Sequence, residues 1–186
     1  MSSDRLARLA QRMALATLAL TVLMLVLNAA AWLVPGLAGS DGAGLAFSLS
    51  NSLLAQAAVD PQHFPWWQQL GAVLLSSVPL LVLTYGLMHL RALFGGYARG
   101  EYFAPTAASH MEATGRSVAY WVLANTVCEP LLSAWTTMNA PVGQRFVSVS
   151  IESSAIVALF LAGCVIVIAR VLSRASELDR ENRQFV

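Results

Sequence analysis

Three polar side chains at a spacing of four residues carry the strongest chemical signal in this chain. Asn125, Glu129 and Ser133 lie within a largely apolar stretch, and this spacing places them on one face of a helix. A carboxylate inside a membrane-spanning segment is by default a candidate for an ion site, a proton relay or a ligand contact. The alternative is structural: Glu129 pairs with Arg145 or bonds to the backbone of an outer loop.

The spacing of the histidines and cysteines matches no common metal-binding or redox motif. His63, His89 and His110 fall in three different elements. His89 and His110 lie near the same membrane face, where a haem or metal site is conceivable, but their spacing matches no HxxH or HExxH motif. Cys128 and Cys164 lie in apolar runs and are expected to pack as small apolar residues. Phosphate loops and nucleophile elbows are also missing, so we predict no enzyme, no catalytic residue, no cofactor and no metal.

The elements that position these residues follow from composition. Of 186 residues, 57% are hydrophobic and 11% are charged, whereas soluble domains carry about 25% charged residues. A membrane protein is therefore predicted, and a net charge of +1 gives no indication of a nucleic-acid surface. The apolar runs predict an all-α membrane protein of one domain, residues 1–186, with four transmembrane helices at about 13–33, 66–94, 105–138 and 153–182.

The arginines predict the orientation of the chain in the membrane. All eleven basic residues are arginines, and Arg145 is the only one outside the side that holds both termini. The positive-inside rule then places the N-terminus and the C-terminus in the cytoplasm. The first apolar run is longer than the ~7–15 residues of a signal-peptide core, so we expect it to be retained as a helix.

The two outer loops share an alternating pattern. Residues 45–50 and 146–152 each alternate large apolar residues with small or polar ones, which is typical of a half-buried strand. Because a single strand is unstable alone, we predict that the two segments pair as a small two-stranded extracytoplasmic sheet.

The polar interval 89–115 joins the second and third predicted helices and carries a candidate cytoplasmic interaction surface. Its glycines supply turn geometry, and its aromatic residues are expected to anchor the turn. These features favour a turn locked by salt bridges, and a docking surface for a partner or anionic lipid is compatible with that turn. The surface comprises Arg91, Tyr97, Arg99, Gly100, Glu101 and Phe103, with Glu181 and Asn182 from the C-terminal tail.

Two motifs resemble those of a known family. The first is Leu90-x-x-Leu93-Phe94-x-x-Tyr97-x-x-Gly100-Glu101-x-Phe103, followed by Gly115, and the second is the tail from Ala169 to Val186. Both are similar to the bacterial membrane family catalogued as domain of unknown function 2975. The resemblance implies a multi-pass protein of the bacterial inner membrane with no known catalytic residues. It also implies a cytoplasmic helix-turn-helix regulator as partner, because genes for such regulators often neighbour those of the family.

The function that these features favour is a non-enzymatic membrane adaptor or regulatory protein. A small transporter or ion-binding protein that uses Asn125 and Glu129 is the alternative, and an accessory subunit of a larger membrane complex is a third class. Small residues at Ser154, Ala158 and Ala162 suit close helix contact, either inside the chain or in a homo-oligomer. Apart from the lipid bilayer, a protein partner is expected and direct nucleic-acid binding is not.

Overall fold

The computed structural model describes residues 3–33, 64–101, 105–139, 147–149 and 153–182. These residues form four long α-helices, so the all-helical class and the number of helices agree with the sequence analysis. Helix α1 is longer than its predicted span, because it begins at Ser3 instead of Met13. The helices are α1 (Ser3–Leu33), α2 (Trp66–Ala98), α3 (Pro105–Thr137) and α4 (Ser153–Asn182).

Local hydrogen bonds determine where α2 begins and ends. The Pro65 carbonyl accepts the first helical bonds, from the backbone N–H groups of Gln68 and Gln69. At the other end, the N–H of Glu101 bonds to the Gly96 carbonyl, and Gly100 has a φ of +84°. This is a Schellman cap, in which glycine takes the left-handed conformation. The helix therefore continues through Gly96 and ends at Ala98, beyond the predicted end at residue 94.

Three helices are long and apolar enough to cross a bilayer: Arg5–Ala30 within α1, Trp66–Ala98, and Ser153–Glu177 within α4. Of the four predicted transmembrane helices, only three are therefore apolar enough to cross in the described part of the chain, and α3 is the exception. Helix α3 has no stretch of membrane-spanning length that is apolar enough, because it carries polar residues along its length, among them Asn125, Glu129 and Ser133. The three apolar helices indicate a lipid bilayer as the environment of this protein.

The predicted two-stranded sheet is wrong, since no β-strand occurs in the residues that the structure describes. Residues 147–149 are irregular, while residues 45–50 lie outside the described ranges. The physical reason is visible at Ser148, whose backbone N–H donates to the Ser133 hydroxyl of α3. A helix side chain thus takes the hydrogen bond that a partner strand would have taken.

Several hydroxyl side chains within the helices are satisfied locally. Thr17, Thr21, Ser77 and Thr126 each donate a hydrogen bond to the carbonyl four residues earlier, at distances of 2.6 to 3.0 Å. Such bonds remove the cost of placing a hydroxyl where water is absent. Outward positions are apolar instead, as at Leu123 of α3, which is 62% exposed. A polar interior beneath an apolar surface is the pattern expected in lipid.

The chain divides into two compact units. The first unit comprises Met1–Thr21, Val82–Tyr120 and Ser153–Val186, and the second comprises Val22–Leu81 and Trp121–Glu152. Helices α1, α2 and α3 contribute residues to both units, whereas α4 belongs to the first alone.

Small residues set the helix contacts of the first unit. A Cβ atom at Gly86 would lie 2.6 Å from Ser117 Cβ, so α2 and α3 approach each other closely there. A Cβ atom at Gly115 would lie 3.1 Å from the Ala162 carbonyl oxygen of α4. Ala162 is buried, in accordance with the small-residue stripe noted in the sequence.

The second unit has a core of Ala72, Cys128 and Leu132, with Trp135 packed against it. Gly71 is essential to this packing, because a Cβ atom there would collide with the Trp135 indole.

Candidate functional site

The intramembrane carboxylate predicted from the sequence lies in the second unit and is engaged with a loop. Glu129 and Ser133 share one face of α3 and are 5% and 0% exposed. The Ser148 hydroxyl donates to Glu129 Oε1 at 3.1 Å, and the Ser148 backbone N–H donates to Ser133 Oγ at 3.0 Å. The Ser133 hydroxyl donates in turn to the Pro130 carbonyl at 2.9 Å. We call Glu129, Ser133 and Ser148 the loop anchor.

The loop anchor contains two of the three residues that the sequence placed together. Asn125 is half-buried one turn earlier on α3, and its side chain makes no hydrogen bond to the described part of the chain. Glu129 also has a further interaction beyond its bond to Ser148. A carboxylate that accepts hydrogen bonds from a neighbouring segment holds that segment in position. This is the structural alternative raised for Glu129, with Ser148 as its partner, while Arg145 lies outside the described residues.

A second polar connection of the second unit was missed by sequence reasoning. The buried Gln68 side chain donates to the carbonyl oxygens of Trp135 and Thr136, at 3.1 and 3.0 Å. These carbonyls lie in the last turn of α3, where no intrahelical partner remains. Gln68 Oε1 accepts a bond from the Asn139 side chain at 3.0 Å. Gln68 thus caps the C-terminus of α3 from α2.

A third connection, also missed, joins α1 to α2. Asn28 is 2% exposed, and its side-chain nitrogen donates to the hydroxyls of Ser76 and Ser77, each at 3.2 Å. One signal was available, because Asn28 is the single amide within the apolar run 13–33. A buried amide in an apolar helix requires a partner on another helix, but the identity of that partner cannot be derived from spacing.

The candidate interaction surface lies in the first unit, at the end of α2. Arg99 Nη2 and Glu101 Oε2 form an ion pair at 3.2 Å, with side chains that are 65% and 50% exposed. The left-handed Gly100 lies between them and closes the helix cap. Arg91 and Tyr97 are half-buried on α2.

Three predicted members of this surface are beyond what the structure describes. Phe103 lies outside the described residues. Glu181 and Asn182 belong to the last turn of α4, but their side chains also lie outside the description. Of the set, the structure brings Tyr97, Arg99, Gly100 and Glu101 together at the end of α2, where the Gly100 N–H donates to the Tyr97 carbonyl at 3.1 Å.

Two further ion pairs lie in the first unit. Arg170 of α4 and Glu112 of α3 are 3.8 Å apart, and Arg174 and Glu177 are 3.3 Å apart within α4. The arginine side chains are 72% and 84% exposed. Exposed pairs of this kind contribute little to stability.

His89 and His110 meet in the first unit, although the sequence indicated only that they lie near the same membrane face. Their Nδ1 atoms are 2.9 Å apart, and both rings are half-buried. Tyr85 packs edge-on against His89 with ring centroids 4.6 Å apart. No group of three or more metal-ligating side chains occurs in the described ranges.

In comparisons with known proteins, no family model, curated protein or solved structure matches this chain. The resemblance to domain of unknown function 2975 therefore stays a prediction.

Proposed function

We propose that this protein is a non-enzymatic membrane adaptor whose arginine-bearing unit receives a soluble protein partner. The observation that carries the proposal is the exposed Arg99–Glu101 pair. Within the described residues these two side chains bond only to each other, and an exposed pair adds at most about 1 kcal/mol to stability. The helix cap at Gly100 holds both charges on a defined turn, which suits recognition more than it suits folding.

The polar residues of the second unit support an adaptor in preference to a transporter. A carboxylate that carries an ion or proton must be open to exchange along a pathway. Glu129 is buried and bonded to Ser148, and Ser133 is bonded to the same residue. These bonds give the acid a structural task, which favours an adaptor over the transport alternative that uses Asn125 and Glu129.

The arginine distribution supports a bacterial inner membrane in which the arginines of the first unit face the cytoplasm. Every arginine with a described side chain belongs to this unit, and cytoplasmic segments are enriched in arginine and lysine. Reporter fusions to the N-terminus and to the C-terminus would test this orientation. Both reporters should be active in the cytoplasm, which requires α3 to cross the membrane as well despite its lower hydropathy. An extracytoplasmic signal from either terminus would refute this orientation.

The partner predicted by the family resemblance is a soluble helix-turn-helix regulator. The test is a pull-down with the full chain in mild detergent, followed by mass spectrometry. Wild type should recover such a regulator, and Arg99→Gln and Glu101→Gln should each reduce the recovered amount at least tenfold. Arg174→Gln breaks a different exposed pair, Arg174–Glu177, and should leave recovery unchanged.

Other results would assign another class. Recovery of several integral membrane proteins at fixed stoichiometry would indicate an accessory subunit, and recovery of no protein besides this chain would refute the adaptor proposal. Recovery of a regulator that is unaffected by both Arg99→Gln and Glu101→Gln would refute the proposed surface while leaving an adaptor role.

A further inference from the structure

His89 on α2 and His110 on α3 direct nitrogen atoms at the same point in the first unit. The Nδ1 atoms are 2.9 Å apart, the ring centroids are 5.2 Å apart, and the ring planes are tilted by 41°. A neutral imidazole has one N–H and one lone pair. At this separation one Nδ1 donates its proton and the other accepts it, so a single proton occupies the space between the rings.

The helices hold the two imidazoles together independently of that proton. Gly86, three residues before His89, permits close approach to Ser117. The Thr114 hydroxyl, one turn after His110, lies 3.3 Å from the Gly86 carbonyl of α2 and also donates to the His110 carbonyl at 2.9 Å. The backbones that carry the histidines are therefore in contact through neighbouring residues.

We propose that His89 and His110 form a binding site for one divalent transition-metal ion, of the class that prefers imidazole nitrogen, such as Zn²⁺, Ni²⁺ or Cu²⁺. When the ion binds, the donor ring carries its proton on Nε2, and both Nδ1 lone pairs face the metal. Metal–nitrogen bonds of about 2.0–2.1 Å at a tetrahedral ion place two ligand nitrogens roughly 3.3–3.4 Å apart. Rotation of the side chains within their rotamers supplies the small opening from 2.9 Å.

The coordination sphere of this site is open. In the part of the chain that the structure describes, no third metal-ligating side chain joins the two histidines. Both rings are only half-buried, so water supplies the remaining ligands. An open site with two histidines binds more weakly than a structural site with four protein ligands. The inference does not depend on the adaptor proposal, because it concerns two side chains that the proposed partner surface does not include.

The test uses the full chain in mild detergent after removal of any polyhistidine tag, which would itself bind metal. Titration with Zn²⁺ or Ni²⁺ should show one ion per chain. His89→Gln and His110→Gln should each weaken binding at least tenfold, and His63→Gln should not change it. The bound ion should also raise the Tm of wild type but not of the His89→Gln variant, because the ion links two helices.

Cu²⁺ provides a measurement that does not rely on the folding of any variant. The electron paramagnetic resonance spectrum of Cu²⁺-loaded wild type should show coupling to two imidazole nitrogens. Fewer than two nitrogens, or equal affinity in wild type and in a folded His110→Gln variant, would overturn the proposal. A loss of binding in His63→Gln alone would overturn it as well, because the ion would then occupy a different site.

Discussion

Gln68 and Trp135 donate hydrogen bonds to each other's backbone carbonyl oxygens, each at 3.1 Å. The Gln68 amide reaches the last turn of α3, and the Trp135 indole reaches the first turn of α2. This exchange satisfies an orphan helix carbonyl and a buried indole N–H at once, within a water-poor interior where unpaired groups are costly.

The Gln68→Leu substitution should therefore be strongly destabilising. It leaves two carbonyls of the last turn of α3 without their donor, at a cost of about 1–3 kcal/mol for each unsatisfied group. The free energy of unfolding in detergent measures this loss. Leu74→Ala is the control on the same helix, because Leu74 is 69% exposed and should contribute little. An equal loss in both variants would show that Gln68 does not act as a cap.

The loop anchor should behave as a coupled pair. Glu129→Ala and Ser148→Ala each remove one partner of the 3.1 Å bond, and their effects should overlap by about 0.5–3 kcal/mol in a double-mutant cycle. Glu129→Gln retains an oxygen that can accept from Ser148 and should cost less than Glu129→Ala. Additive effects would mean that the bond contributes nothing. Loss of a cellular phenotype in a fully stable Glu129→Gln variant would instead restore a functional role for the charge.

The contact between α2 and α3 in the first unit should be sensitive to one methyl group. Gly86→Ala places Cβ 2.6 Å from Ser117 Cβ, and overpacking of this kind costs about 1–3 kcal/mol. Gly163→Ala in α4 meets no atom within 4 Å, so it should be neutral or stabilising by up to about 1 kcal/mol. Thermal unfolding compares the two variants. Ser117→Gly should partly rescue Gly86→Ala, and Ser117→Ala, which retains the clashing Cβ, should not.

The helix cap at the end of α2 should require glycine at one position. Gly100→Ala forces an L-residue to a φ of +84°, at a cost of about 1–2 kcal/mol. Gly95→Ala lies inside the helix with an ordinary 3.7 Å contact, and should stabilise by about 0.5–1 kcal/mol. If Gly100→Ala also displaces the Arg99–Glu101 pair, recovery of the soluble partner should fall in parallel. Unchanged stability in Gly100→Ala would argue against the cap.

Helical class, helix number and a lipid environment were accessible from the sequence because they depend on local properties. The spacing of Glu129 and Ser133 also placed them correctly on one face, since that follows from helical periodicity. The number of apolar spans was also accessible from composition, but the sequence analysis overcounted it, because the polar residues of α3 lower the hydropathy of that helix. The predicted sheet was wrong because alternation at residues 147–149 indicates only a half-buried segment. It does not show that the backbone of this segment bonds to a helix hydroxyl, as Ser148 does to Ser133.

By itself, then, the sequence determined the helices and the arginine distribution, which are set by interactions between near neighbours and with the solvent. Only the tertiary structure decided that Ser148 bonds to Glu129, that Gln68 caps α3 and that His89 faces His110. Ser148 and Glu129 are 19 residues apart in the sequence, Gln68 and Thr136 are 68 apart, and His89 and His110 are 21 apart. They meet because helices pack closely at small residues such as Gly71 and Gly86, and the register of that packing depends on contacts between distant segments.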